Sequence, residues 1–172
     1  MGKLYFLVGM ARSGKSTIAN NWSRYLCNIT NNQLTNNYPS IEMSSSTLNY
    51  ITPRVVVCGD DIRLALHGQR FNRLAEGIVE EIKYITIRAL LHRGYDILVD
   101  GTNTTLTSIK KLLYIDKTAD FYIVDTPLKI CIDRAVDTKQ CDLVPIIHRM
   151  NKQLCEWKDN AIEVINKLRD EI

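Results

Sequence analysis

The chain has 172 residues, enough for one domain with a sizeable core, or at most a domain with a small lid. A hydrophobic share of 45% and a charged share of 24% exclude a disordered, fibrous or membrane-embedded chain and describe an ordinary globular one. The net charge of +3 is too small to mark a polyanion binder, yet it leaves room for a local basic groove.

Short apolar runs alternate with helical patterns along the chain. "LYFLVG" at Leu4–Gly9 predicts a first strand, and a helix follows Gly14 with Ile18, Trp22 and Tyr25–Leu26 on one face. Asn28–Thr52 is rich in Asn and Ser and almost uncharged, longer than a plain loop in a compact domain. It reads either as a polar surface insertion or as a flap over a substrate entrance. "VVVC" at Val55–Cys58 predicts a second strand. From Phe71 to Arg93, apolar residues at Phe71, Ala75, Ile78, Ile82, Ile85 and Ala89 repeat at helical spacing, and Gly94 stops the helix. "DILVD" at Asp96–Asp100 is a third strand, with a helix from about Leu106 to Tyr114. "FYIVD" at Phe121–Asp125 is a fourth, after which Leu128–Ala135 turns helical. Pro145 opens a terminal helix through Ile146, Met150, Leu154, Trp157, Ile162, Ile165 and Leu168, whose spacing slips near Trp157 and so predicts a kink or two helices.

Strand–helix units with fully apolar strands imply a parallel sheet covered by helices on both faces, a three-layer α/β/α arrangement. Ligands of such sheets sit at the carboxyl ends of the strands. Asp60–Asp61, Asp100 and Asp125 all follow strands and are expected at that edge.

The first strand leads into "GMARSGKST", Gly9–Thr17, with the Walker A spacing of a phosphate loop (P-loop). Its glycines, Gly9 and Gly14, permit the tight turn. Backbone N–H groups from Gly9, Arg12, Ser13, Gly14, Lys15, Ser16 and Thr17 would form an anion cradle at the start of a helix. Lys15 would reach the outer phosphates of a nucleoside triphosphate, and the Ser16 hydroxyl would hold Mg²⁺. In "CGDDIR", Asp60 stands where a carboxylate can take a hydroxyl's proton, and Arg63, one helical turn on, can bind an anionic acceptor. The same residues also suit a helix start with Asp60 as its cap. Asp100 has the position of a Walker B carboxylate that holds Mg²⁺ through water, or it caps the turn "GTNTT", where Thr102 and Asn103 offer further polar groups. Between two helices, "DRAVDTKQCDLVP" is either a lid whose Arg134 or Lys139 closes on the phosphates or a helical corner with surface charges.

Other signals fall away. "NKQL" lacks the aspartate of a guanine-reading motif, and His67, His92 and His148 share no metal spacing. Five dispersed cysteines, without a CxxC pair, read as reduced thiols. With no signal-peptide pattern at Met1–Val8 and no membrane-length apolar run, a soluble cytoplasmic protein is expected.

"GMARSGKST", "GDDIR", "VDGTN" and "DRA" followed by "VPIIHRM", in that order, resemble the P-loop kinases related to the 5′-kinase domain of phage polynucleotide kinase, in the adenylate-kinase-like branch. The resemblance spans most of the chain outside Asn28–Thr52. It implies a P-loop NTPase fold with a central parallel sheet of four or five strands, a small helical lid at about 134–145, ATP as donor and a hydroxyl as acceptor. It further implies that Asp60 is the general base and Arg63 the acceptor-phosphate ligand. Lys15 and Ser16 would contact ATP and Mg²⁺, and Arg134 would be a lid arginine, with Lys139 offset from the place of a second one. The expected function is transfer of phosphate to a nucleic-acid 5′-hydroxyl. A small-molecule, nucleoside or nucleotide kinase is the nearest alternative, and a non-catalytic ATP-binding module a second.

Overall fold

The computed structural model describes residues 2–24, 52–69 and 71–172. Tyr25, Leu26 and all of the Asn-rich insertion except Thr52 lie outside the described residues.

Four strands, β1 (Leu4–Val8), β2 (Arg54–Cys58), β3 (Asp96–Asp100) and β4 (Asp120–Ile123), form one parallel sheet in the order β2-β3-β1-β4. Between and after them come α1 (Lys15–Arg24), α2 (Gly59–His67), α3 (Glu76–His92), α4 (Leu106–Leu113), α5 (Leu128–Asp137), α6 (Val144–Cys155) and α7 (Ala161–Asp170). The apolar runs become strands because the sheet is covered on both sides. Leu4, Phe6 and Val8 pack on one face with Val57, Ile97, Val99 and the helical residues Ile87, Leu91, Ile109, Leu112 and Ile165. Leu7 and Leu98 turn to the other face, against Ala19 of α1, with Ile18 and Trp22 packed alongside. A smaller cluster of Met10, Cys131, Ala135 and Ile147 supports the phosphate loop from α5 and α6.

The strand order places a topological switch at β1 and β3. The chain leaves β1 towards β2 on one side, and leaves β3 towards β4 on the other, so a crevice opens at their carboxyl ends. There Gly9 N–H donates to Thr102 O at 2.9 Å, and the Asn103 side-chain amide donates to Leu7 O at 2.7 Å.

One helix starts later than expected, and the terminal segment divides near Trp157 as its spacing predicts, with one expected apolar residue exposed. The helix expected from Phe71 begins only at Glu76, because Asn72 forms an Asx turn, its Oδ1 accepting from Leu74 N at 3.1 Å. The buried stripe of α3 is Val79, Ile87 and Leu91, whereas Ile78 and Ile85 are 49% and 56% exposed and Phe71 65%. Lys83 lies on the buried side and interrupts its apolar pattern. Burial pushes its ammonium below the usual lysine range. Burying each of the three aliphatic residues stabilises by about 1.5–3 kcal/mol, and the Lys83 ammonium sits 4.7 Å from the Tyr84 ring centroid. The terminal segment is two helices, α6 and α7, split by a 3-10 turn at Lys158–Asn160. Trp157 is buried at the break and donates from Nε1 to Thr104 O at 3.0 Å, while Ile162, expected on the apolar face, is 73% exposed. Among the described residues no helix is long and apolar enough to cross a membrane.

Candidate active site

The loop after β1 turns on two glycines for different reasons. A Cβ at Gly9 would stand 2.9 Å from Val124 O and 3.0 Å from Ser13 Oγ, so close packing requires glycine there. Gly14 has φ +99°, in the left-handed region that side chains resist. Arg12 also has positive φ, at +65°. The N–H groups of Gly14, Lys15 and Ser16 donate to no backbone carbonyl among the described residues, so they remain open donors at the N-terminus of α1.

Lys15 is 7% exposed and folds back over the loop. Its three ammonium hydrogens reach Met10 O at 2.5 Å, Gly9 O at 3.0 Å and Ser13 Oγ at 3.3 Å. Burial lowers its pKa, and the nearby Asp100 and Asp60 carboxylates oppose that shift. Asp100, 8% exposed at the end of β3, is pushed above the usual carboxylate range by burial. A hydrogen bond with Ser16 and the charge of Lys15 work against the rise, and Asp60 and Asp61 add to it. β3 lies between β1 and β2, and Cys58 pairs with Asp100, so the residues that follow β1 and β2 leave the sheet at the same edge as Asp100. Ser16 and Asp100 present oxygen donors, the chemistry that suits Mg²⁺. No cluster of three or more His, Cys, Asp or Glu among the described residues could hold a metal by itself, so a cation here would complete its shell from phosphates and water.

Across the crevice, α2 carries Asp60 and Arg63 on one face because they are three residues apart. Arg63 NH1 donates to Asp60 Oδ1 at 2.6 Å. Its other edge is taken by Glu76, with Nε to Oε1 at 2.8 Å and NH2 to Oε2 at 2.6 Å. Glu76 raises the Arg63 pKa, and Arg63 in turn holds Glu76 below its usual value. Nothing in the apolar periodicity singled out Glu76. An acidic residue in the first turn of a helix was the available signal, and the helix start was expected five residues earlier.

The segment at 134–145 reaches the loop from the other side. Arg134 NH1 donates to Arg12 O at 3.1 Å and lies 3.8 Å from where a Cβ on Gly14 would be. Arg12 NH2 donates to Thr138 Oγ1 at 2.7 Å, and Thr126 Oγ1 donates to Ser13 O at 2.7 Å. Lys139, with φ +55° in the turn after α5, is exposed and has no side-chain partner among the described residues. Thr17 is likewise exposed on α1. Asp125 is diverted from the crevice by Lys158, whose ammonium lies 2.8 and 2.9 Å from its two oxygens.

No family model matches the chain, and no curated protein does. Among solved structures it is similar to a chain of the Pnkp1/Rnl/Hen1 RNA repair complex, with TM-score 0.64 and 23% identity over 92% of this chain and 46% of that one. A second structure of the Pnkp1/Rnl/Hen1 complex gives TM-score 0.54 and 25% identity over 77% of this chain and 39% of that one. This chain shares the fold of these structures. The APS kinase CysC of Mycobacterium tuberculosis, in complex with AMPPNP and APS, shares it with TM-score 0.52 and 22% identity over 78% of this chain and 68% of that one. The chain spans less than half the length of the two RNA-repair chains it matches. In this fold the Gly9–Thr17 loop follows β1, the Asp60–Arg63 pair follows β2, and Arg134 is hydrogen-bonded to the loop at Arg12 O.

Proposed function

We propose that the chain is an ATP-dependent kinase that transfers the γ-phosphate to a hydroxyl, with the 5′-hydroxyl of a polynucleotide as the preferred acceptor. What supports this reading is the loop of Gly9–Thr17, with its buried Lys15 at the end of β1, together with the Cys58–Asp100 register that sets the Asp60–Arg63 pair of α2 beside the end of β3. Phosphoryl transfer asks for little beyond positioned phosphates, neutralised charge and an oriented nucleophile.

In this reading the open N–H groups of Gly14, Lys15 and Ser16 take the β- and γ-phosphates, within a loop shaped by Gly9, Arg12, Ser13 and Thr17. The Lys15 ammonium exchanges its loop carbonyls for phosphate oxygens. The Ser16 hydroxyl and Asp100 carboxylate would hold Mg²⁺, which supplies charge neutralisation on the phosphates. Asp60 Oδ2, which has no hydrogen-bond partner among the described residues, accepts the acceptor's hydroxyl proton as its oxygen bonds to the γ-phosphorus and ADP leaves. Arg63 holds a phosphate of the acceptor. Arg134, and Lys139 on closure of the 134–145 segment, add positive charge over the donor phosphates. The whole chain, 1–172, then works as one kinase domain carrying the polar insertion at 28–52. Free Cys58, Cys131, Cys141 and Cys155 suit a reducing, cytoplasmic setting.

A small phosphorylated acceptor is the second reading. It is favoured by the fold shared with a kinase whose complex holds APS. Label transfer from γ-labelled ATP to a 5′-hydroxyl oligonucleotide and to a nucleoside monophosphate, at two salt concentrations, tests both. A polynucleotide acceptor gives oligonucleotide turnover that falls more steeply with salt, because each phosphate contact releases counterions. Equal salt dependence favours the small acceptor, and no transfer to any hydroxyl rejects the kinase reading.

A further inference from the structure

Arg63 is not free to choose its position, and the residue that decides it is not on its own helix. A guanidinium has five N–H donors. Three of its hydrogen bonds are accounted for: Nε and NH2 to the two oxygens of Glu76, and NH1 to Asp60 Oδ1. The Glu76 contact is a two-point fork on the side edge of the guanidinium, which fixes its plane as well as its place. It is partly sheltered, with side-chain exposures of 22% for Arg63 and 26% for Glu76, whereas the Asp60 side chain is 67% exposed. The firm anchor is therefore Glu76 at the first turn of α3, and Asp60 is the outer partner.

Two consequences follow from the donor count. One N–H on NH1 and one on NH2 are not used by these three bonds and are left for an acceptor phosphate. Asp60 is engaged through Oδ1 alone, so its Oδ2 stays available to a hydroxyl. Without Glu76 the nearest carboxylate for the fork is Asp60 itself, one turn away on the same helix. A two-point pair between Arg63 and Asp60 would occupy the phosphate-binding edge and both carboxylate oxygens together.

We propose that Glu76 is a positioning residue for acceptor binding: by clamping the side edge of Arg63 it presents the outer edge to an acceptor phosphate and keeps one oxygen of Asp60 free to take the hydroxyl's proton. This rests on the kinase reading above, and specifically on Arg63 as an acceptor ligand. Glu76 touches neither substrate and acts through Arg63.

The test compares Glu76→Gln, Arg63→Ala and the double variant, after circular dichroism and thermal melting show each to be folded. Glu76→Gln keeps the shape and removes the charge, and Glu76→Ala serves as a second variant. Steady-state kinetics are measured with a nucleoside 3′-monophosphate, with the bare nucleoside, and for ATP. Glu76→Gln should raise the KM of the phosphorylated acceptor about 10-fold and lower kcat, the scale of coupling between contacting charged groups, with ATP KM unchanged. Its preference for the phosphorylated acceptor over the bare nucleoside should fall towards that of Arg63→Ala, and the double variant should be no worse than Arg63→Ala. Unchanged acceptor constants in folded Glu76→Gln, or effects that multiply in the double variant, overturn the inference while the kinase reading stands. If Arg63→Ala itself spares the acceptor KM, the role of Arg63 falls, and that of Glu76 with it.

Discussion

Replacing Asn103 by alanine tests how the turn after β3 holds the start of the phosphate loop. Asn103 is 8% exposed, has φ +43°, and donates from its side-chain amide to Leu7 O at 2.7 Å. The pairing of β1 with β3 runs only from Leu4 to Phe6, so the Asn103 amide serves a strand carbonyl that lies past the paired register. Alanine leaves that buried carbonyl without its partner, at about 1–3 kcal/mol. It also puts a Cβ-bearing residue without local hydrogen bonding into the left-handed region, at roughly 1–2 kcal/mol more. The sum, about 2–5 kcal/mol, is a large part of the 5–15 kcal/mol typical of a folded domain. At about 2–4 °C per kcal/mol for a chain of this size, Tm should drop by roughly 4–20 °C. Asn103→Gly separates the two contributions, since it loses the hydrogen bond without the backbone strain, and should fall between wild type and alanine. Urea and thermal unfolding of the three proteins measure this directly. If Asn103→Ala melts within 1 °C of wild type, or glycine is worse than alanine, the argument from the orphaned carbonyl and the positive φ is wrong.

Three further outcomes are expected. At 100 times its Kd, ATP with Mg²⁺ should stabilise the wild type by about 2.7 kcal/mol, a thermal shift of roughly 5–11 °C; Lys15→Ala should abolish both the shift and transfer, and a folded variant with the full shift would refute the nucleotide site. Asp60→Asn should keep the ATP shift and lose turnover by roughly 100-fold or more, and near-normal turnover would move the base to another carboxylate. Because burial holds the Asp100 pKa above its unfolded value of 3.8, its favourable contribution is complete below about that pH and is lost as pH rises through the folded pKa. Asp100→Asn should therefore raise the Tm of the nucleotide-free protein at neutral pH, by an amount that shrinks in acid, while losing Mg²⁺-dependent transfer; a lower Tm at neutral pH would contradict this.

Much of the architecture is legible because its signals are local. A strand buried on both faces must be apolar throughout, so "LYFLV", "VVVC" and "DILV" announce a parallel sheet. The phosphate loop is legible for the same reason, since Gly9, Gly14, Lys15 and Ser16 act within one turn of backbone. The buried face of α3 is not, because apolar residues surround that helix and the true stripe contains Lys83. Periodicity selects the cleaner stripe through Ile78 and Ile85, and only the packed structure reveals that Val79, Ile87 and Leu91 are the buried ones.

The two halves of the candidate site differ in this respect, and the difference follows from how each is held. On the proposed donor side stand backbone N–H groups and a lysine that the loop itself satisfies through Met10 O, Gly9 O and Ser13 Oγ. That geometry is written in a spacing and survives any change in the surrounding helices that leaves the loop intact. On the acceptor side, Asp60 and Arg63 share a helical face and are readable as a pair, but the direction of Arg63 is set by Glu76 from the next helix. Moving the start of α3 by one residue would turn Glu76 by about 100° around the helix axis and release the fork. If Arg63 binds the acceptor as proposed, Asn72, whose Asx turn stands at that start, is expected to bear on acceptor binding. Asn72→Ala should loosen the first turn of α3, raise the acceptor KM in the same direction as Glu76→Gln, and leave the ATP thermal shift intact. A folded Asn72→Ala variant with wild-type acceptor KM would show that Glu76 reaches Arg63 regardless of how the helix begins.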